Sequence, residues 1–298
     1  MTRNEIETLL KASAAKTEAC LKANFENGEK DLLPLTEAEQ YSLLGGGKRI
    51  RPFLVFEFCR VLGGEEGAAE PFASAIERVH TYSLIHDDLP CMDDDTYRRG
   101  RLTCHKKFDE ATAVLAGDAL LTDAFGLVAG NPHVSAQSAR EAVMLLSEAA
   151  GTHGLVGGQI LDMGSEKKQS VRIEEVLRLH SLKTGALIRA AAKLGVLAAG
   201  KGSESEEFLA ADRFATGIGL CFQIVDDILD VEGNAEQLGK ATGADARMNK
   251  VTFMNFYSVA EARAYAARLT EEAKAAIAFL PEAETLCALA DYLLERKY

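Results

Sequence analysis

The chain has 298 residues, 47% apolar and 26% charged, and its 33 basic against 45 acidic side chains give a formal net charge of -12. Such a balance belongs to an ordinary globular protein and excludes a disordered segment. An acidic surface also argues against nonspecific binding to nucleic acid or anionic membrane, so a polyanionic ligand would have to be met by local base or by metal.

The N-terminus, Met1 to Glu7, has two early acids and no apolar core of signal-peptide length. Residues 4 to 24 place Ile6, Leu9, Leu10 and Ala14 at helical spacing and predict an amphipathic helix. Thr36 with Glu39 forms a capping-box pattern that opens a short helix toward Leu44. Next comes Gly45-Gly46-Gly47-Lys48-Arg49-Ile50-Arg51-Pro52. A nucleotide-binding P-loop would need Gly at 42 and Ser or Thr at 49, where this chain has Ser42 and Arg49. Three glycines beside Lys48, Arg49 and Arg51 suit a diphosphate cradle, and equally a loop with a solvated basic tip. Pro52 fits the first turn of a helix that Gly63-Gly64 ends.

Ala68 to Leu89 predicts a long helix that runs into His86-Asp87-Asp88-Leu89-Pro90-Cys91-Met92-Asp93-Asp94-Asp95-Thr96-Tyr97-Arg98-Arg99, with Pro90 stopping the helix. Carboxylates crowded in this way raise one another's pKa unless a hard cation lies among them. Oxygen donors without a nearby Cys/His cluster favour magnesium or manganese over zinc. Arg98 and Arg99 match phosphate oxygens. The alternative is a solvated acidic loop at a helix end. His80 lies seven residues before Asp87 and so on nearly the same helix face, although a lone helical histidine is often just part of the core or surface.

Asp109 to Ala129 predicts a helix broken near Gly117, Asn131-Pro132 a turn, and Ser135 to Ala150 another helix. Gln159 and Asp162 share a face between Gly154 and Met163, either as a buried hydrogen-bonded pair or as functional groups. Residues 173 to 199 carry one long helical pattern in which Lys183 would be costly facing inward unless it met an anion. Ser203 with Glu206 makes a further capping box. A second acidic constellation follows in Gly219 to Asp230, where Gln223, Asp226, Asp227 and Asp230 fall in one stripe of an otherwise apolar helix. Leu238 to Lys250 again sets base beside acid; Ser258 and Glu261 cap a helix to Phe279, and Pro281 begins the last one. No period-two strand pattern, internal repeat or stretch of about eighteen apolar residues stands out, and the six cysteines show no paired short spacing. One all-α domain spanning 1–298 is expected, cytoplasmic, with free thiols and without membrane insertion.

With both acidic clusters in view, the chain resembles the trans-isoprenyl diphosphate synthases, and among them the bacterial farnesyl diphosphate synthases (geranyltranstransferases), from about residue 40 to 255. The resemblance implies an all-α bundle of about ten or more helices around a deep central cavity (the isoprenoid synthase fold) and a homodimer. It further implies condensation of isopentenyl diphosphate with dimethylallyl or geranyl diphosphate to give farnesyl diphosphate. Asp87, Asp88 and Asp93 would form the first magnesium motif and Asp226, Asp227 and Asp230 the second, with three ions expected. Arg98 and Lys240 would hold the allylic diphosphate; Lys48, Arg51, His80 and Arg99 would hold isopentenyl diphosphate. Lys183, Thr184 and Gln223 would lie near the reacting carbons, and Tyr82, five residues before Asp87, would limit product length. Asp94-Asp95-Thr96 after the first motif and Ala244 in the tail depart from familiar relatives. Rival readings are a geranylgeranyl or other short-chain synthase, a terpene cyclase, and a noncatalytic subunit of a heteromeric synthase.

Overall fold

The computed structural model describes residues 1–25, 30–165, 170–236 and 251–296. Among them the regular structure is helical, as expected, apart from a ladder of two-residue strands, β1 (Tyr97–Arg98) antiparallel to β2 (Arg101–Leu102). The chain divides into two compact units, one of residues 7–146 with 194–202, the other of residues 1–6, 147–193 and 203–298.

The first unit holds most of α1 (Arg3–Ala23), then α2 (Leu33–Leu43), α3 (Ile50–Val61), α4 (Glu66–Asp87), α5 (Cys104–Lys107), α6 (Glu110–Ala129) and most of α7 (Ala136–Ala150). Helix α4 packs on α3 and α6, burying Phe72, Ile76 and Val79 at helical spacing. Helix α2 starts earlier than Thr36 suggested, because Pro34 already sits in its first turn, where a missing N–H leaves nothing unsatisfied. The Thr36 hydroxyl donates back to Leu33 O at 3.3 Å instead of capping. Glu39 is buried 3.9 Å from Arg78, and burial pushes its carboxyl up to about 7 against the pull of that guanidinium.

Helix α6 is capped by Asp109, whose Oδ1 accepts from Thr112 N at 2.8 Å, and it runs unbroken through Gly117. The break expected there does not occur, because Gly117 serves packing. A Cβ at this position would lie 2.1 Å from His86 Nε2, which itself lies 3.0 Å from Val114 O. Gly117→Ala should therefore displace the His86 ring and destabilise the fold by about 1–3 kcal/mol, read as a lower urea midpoint at unchanged m. An unchanged midpoint would show that the ring moves aside freely.

The second unit holds α8 (Leu155–Ser165), α9 (Ile173–His180), most of α10 (Ala186–Ala198), α11 (Glu206–Glu236), α12 (Val259–Ala276) and α13 (Glu284–Leu294). Cys221, Ile224, Val225 and Ile228 of α11 form its core with Phe253, Ala262 and Ala266. Phe253 stacks on Tyr257 at 4.5 Å between ring centroids. Ser258 and Glu261 make the expected capping box on α12. At α11, however, the hydroxyl that accepts from Phe208 N is that of Ser205, two residues past the expected cap. The long pattern over 173–199 is not one α-helix either: Ser181–Gly185 forms a π-helical turn between α9 and α10. By length and composition, Glu110–Ala129 and Glu206–Glu232 are each long and apolar enough to cross a membrane, which corrects the expectation that no window reaches that level.

Candidate functional site

In the first unit, the C-terminal end of α4 carries the first acid cluster. Asp93 N donates to Asp87 O at 2.9 Å and Asp94 N to Leu89 O at 3.1 Å, while Asp94 takes a left-handed φ of 49°. The segment Leu89 to Met92 is thereby folded into a turn that returns the Asp93 backbone to the helix end at Asp87. Asp88 has a different role from its neighbours: its carboxylate accepts from Arg98 Nε at 2.8 and 2.9 Å and from Arg98 Nη2 at 2.7 Å. Burial raises the Asp88 pKa, Arg98 opposes that, and the Asp95 and Asp93 charges add to it. Asp88 thus anchors a guanidinium.

Base gathers beside this acid. Thr81, Leu84, Asp88, Arg98 and Arg99 line one cleft. Arg99 Nη1 donates to Gly46 O, and a Cβ at Gly47, whose φ is +130°, would lie 2.8 Å from that same nitrogen. The glycine loop therefore serves to admit an arginine. Arg51 and His80 belong to the same electrostatic group, since burial first and then Arg51, Arg99, Arg49 and Arg98 hold the His80 pKa well below its ordinary range. A neutral imidazole results, able to donate one hydrogen bond without adding charge. Lys48 is exposed. Arg49, counted with Lys48 and Arg51 as a possible ligand cation, is instead turned inward with its side chain 1% exposed and paired with Glu77. Tyr82 is buried, its hydroxyl without a hydrogen-bond partner among the described residues, and its ring meets His86 edge-on at 5.7 Å. Burial and then the Asp87 charge push its phenol up to about 12.

In the second unit, α11 presents Gln223, Asp226, Asp227 and Asp230. Asp227 is 5% exposed and accepts from Phe253 N at 2.8 Å and from Gln223 Nε2 at 3.4 Å, with His180 Nε2 at 3.5 Å. Like Asp88, it is an internal anchor. Gln223 Oε1 in turn accepts from Thr184 Oγ1 at 2.9 Å, which ties the π-helical turn to α11. Lys183 of that turn meets the anion it required in Asp162, at 2.5 Å. Gln159 Oε1 is buried without a partner among the described residues, so the expected pairing with Asp162 is replaced by the one with Lys183. Arg296, which the sequence reading missed, contacts Asp226 and lies 4.1 Å from the centroid of the Phe222 ring. Burial draws its guanidinium down to about 10. Lys240 and Ala244 lie outside the described residues.

Among the described residues no three His, Cys, Asp or Glu side chains form a ready-made metal cage. Magnesium does not require one: it keeps waters and takes one or two carboxylates together with phosphate oxygens. Asp87 with Asp93, brought together through the backbone, and Asp226 with Asp230, one helical turn apart and both partly exposed, fit that donor set.

Residues 34–280 match the family model described as polyprenyl synthetase. The chain is 43% identical over 277 residues to a farnesyl diphosphate synthase of Haemophilus influenzae, covering 93% of this chain and 94% of the relative. It is likewise 43% identical over 270 residues to a chloroplastic geranylgeranyl pyrophosphate synthase of Catharanthus roseus, covering 90% of this chain and 75% of the relative. Among solved structures, the geranyltransferase of Helicobacter pylori complexed with magnesium and isoprenyl diphosphate superposes with a TM-score of 0.80 at 35% identity, over 97% of this chain and 96% of that one.

Proposed function

Because the chain belongs to the polyprenyl synthetase family, we propose that it is a magnesium-dependent prenyltransferase, active as one domain over 1–298, that condenses isopentenyl diphosphate with dimethylallyl and geranyl diphosphate to give farnesyl diphosphate. The observation that carries this reading is the meeting of two kinds of anion site in one unit. A carboxylate-rich helix end suits a metal-borne diphosphate, and beside it Arg51, His80 and Arg99 suit one that no metal bridges.

Bound magnesium would neutralise the allylic diphosphate and make it a leaving group; the carboxylates that would hold the ions are Asp87, Asp88 and Asp93 in the first unit and, as the resemblance implies, Asp226, Asp227 and Asp230 in the second. Arg98, fixed by Asp88, would grip the same diphosphate, a role the resemblance also gives to Lys240. Lys48, Arg51, His80 and Arg99 would hold isopentenyl diphosphate through its own phosphates. The allylic carbon–oxygen bond breaks, the isopentenyl double bond attacks the resulting cation, and the departing diphosphate takes the proton. Carbonyl dipoles of the π-helical turn, the Thr184 hydroxyl and Gln223 would stabilise the cation, with Lys183 in the same turn. No protein nucleophile is needed. Buried Tyr82 supports fifteen carbons as the limit, with geranylgeranyl or another short-chain product as the alternative.

We also propose a homodimer built on α6, which leaves Val114 and Leu115 exposed on an apolar helix; burying them against a second copy would remove apolar surface from water. Six free cysteines suit a reducing cytoplasm. Steady-state kinetics test the division of the sites: Arg99→Ala and Lys48→Ala should raise KM for isopentenyl diphosphate about tenfold or more while KM for geranyl diphosphate holds. A rise confined to the allylic substrate would contradict the assignment.

A further inference from the structure

Glu77 stands on α4 three residues before His80, and its side chain is 3% exposed. A carboxylate so enclosed persists only where cations compensate it. Arg49 is the first of these, donating to Glu77 Oε1 and to Leu43 O at 2.6 Å, with Glu18 at 3.7 Å. It sits at the N-terminus of α3 with a left-handed φ of 49°, uncommon for a residue with a Cβ, and its buried pairing offsets that strain. The Glu77 charge also acts on Arg51 and on Arg99. Arg51 lies two residues along α3 from that clamp and Arg99 donates to Gly46 O three residues before it, so the Glu77–Arg49 pair fixes the backbone that meets both. Arg51 Nε and Arg49 Nε are buried without hydrogen-bond partners among the described residues, so the cluster holds more donors than Glu77 can satisfy.

We propose that Glu77, clamped by Arg49, is a positioning residue that holds Arg51 and Arg99 in the arrangement that receives isopentenyl diphosphate, while Arg49 itself does not touch the substrate. The inference rests on the site reading given above. Two effects of removing the Glu77 charge oppose each other. Coulomb attraction alone would bind a diphosphate more tightly once a negative charge is gone. Loss of preorganisation would bind it more weakly, because like-charged guanidiniums then spread apart. Positioning requires that the second effect wins.

The test uses full-length Glu77→Gln, Glu77→Asp, Arg49→Lys and Arg99→Ala, assayed with magnesium, isopentenyl diphosphate and geranyl diphosphate, alongside thermal denaturation. In Glu77→Gln, KM for isopentenyl diphosphate should rise about tenfold with kcat and the allylic KM within about twofold. Glu77→Asp should recover part of the loss. Arg49→Lys, which keeps the charge but loses the fork, should shift KM in the same direction, and it carries the test if Glu77→Gln does not fold. An unchanged or lowered KM for isopentenyl diphosphate overturns the proposal while Arg99→Ala still raises it. Equal losses on both substrates tracking a lower Tm would make the pair merely structural. If Arg99→Ala leaves KM unmoved, the site reading falls and the proposal with it.

Discussion

Asp87→Ala should lower kcat by about 10³-fold or more while the protein still folds, and added magnesium or manganese should not restore it. The size follows from where Asp87 stands. It ends α4, half-exposed, with the Asp93 backbone returned to it through the Leu89 to Met92 turn, so its removal leaves no buried void. What is lost is charge neutralisation at the leaving group, an interaction that strengthens as the carbon–oxygen bond breaks and so lowers kcat and kcat/KM together. Asp226→Ala should behave alike, with one difference. It also releases Arg296, whose buried guanidinium would lose that carboxylate while keeping its place over the Phe222 ring. Asp88→Asn should act by another route, loosening Arg98 and raising the allylic KM more than it lowers kcat. Full activity of Asp87→Ala, or of the unaltered enzyme in excess chelator, would contradict the metal assignment.

Tyr82→Ala should shift the main product from farnesyl to geranylgeranyl diphosphate with magnesium dependence unchanged. Five residues before Asp87, at about 1.5 Å per residue, Tyr82 lies roughly 7.5 Å down α4 from the diphosphate anchor. Its ring is buried against His86, and its hydroxyl finds no hydrogen-bond partner among the described residues. A residue chosen only for packing would not need that hydroxyl, and phenylalanine would fill the space without leaving a buried donor unsatisfied. The resemblance to fifteen-carbon synthases implies that this ring stops a growing chain, and the expected shift follows from that proposed role. Truncation also removes a buried aromatic, at a cost of about 3–5 kcal/mol, so Tyr82→Met provides a gentler opening of the same space. If both variants fold and still release only farnesyl diphosphate, the length limit lies elsewhere.

Much of this was legible before any coordinates. Both acid clusters stand out because charge is rarely so concentrated at the end or along one stripe of an apolar helix, and the helical class follows from periodicity alone. What escaped the sequence reading shares a cause, namely side chains whose partners are distant in the chain. Gly117 looks like a helix breaker until His86 is found against it. Thr36 looks like a cap because its pattern is local, whereas Pro34 already starts the helix. Arg49 reads as one of three ligand cations until Glu77, twenty-eight residues on, claims it. The π-helical turn at Ser181–Gly185 adds one residue to a helical turn, too small a shift for an averaged period to register. Asp88 and Asp227 stand in the motifs as metal ligands, and what the motifs do not reveal is that Arg98 for one and Phe253 N with Gln223 for the other also donate to their oxygens. Arg296 gave no signal beyond belonging to the Arg296-Lys297 pair near the end of the chain.

The most direct test is chromatography of the dephosphorylated products formed from isopentenyl diphosphate and geranyl diphosphate by the unaltered chain, with magnesium and again with excess chelator. A fifteen-carbon alcohol as the main product, formed only with the metal, is the predicted result. A twenty-carbon main product would contradict the farnesyl assignment and the role given to Tyr82. No consumption of isopentenyl diphosphate by folded protein with magnesium would contradict the proposed prenyltransferase activity itself.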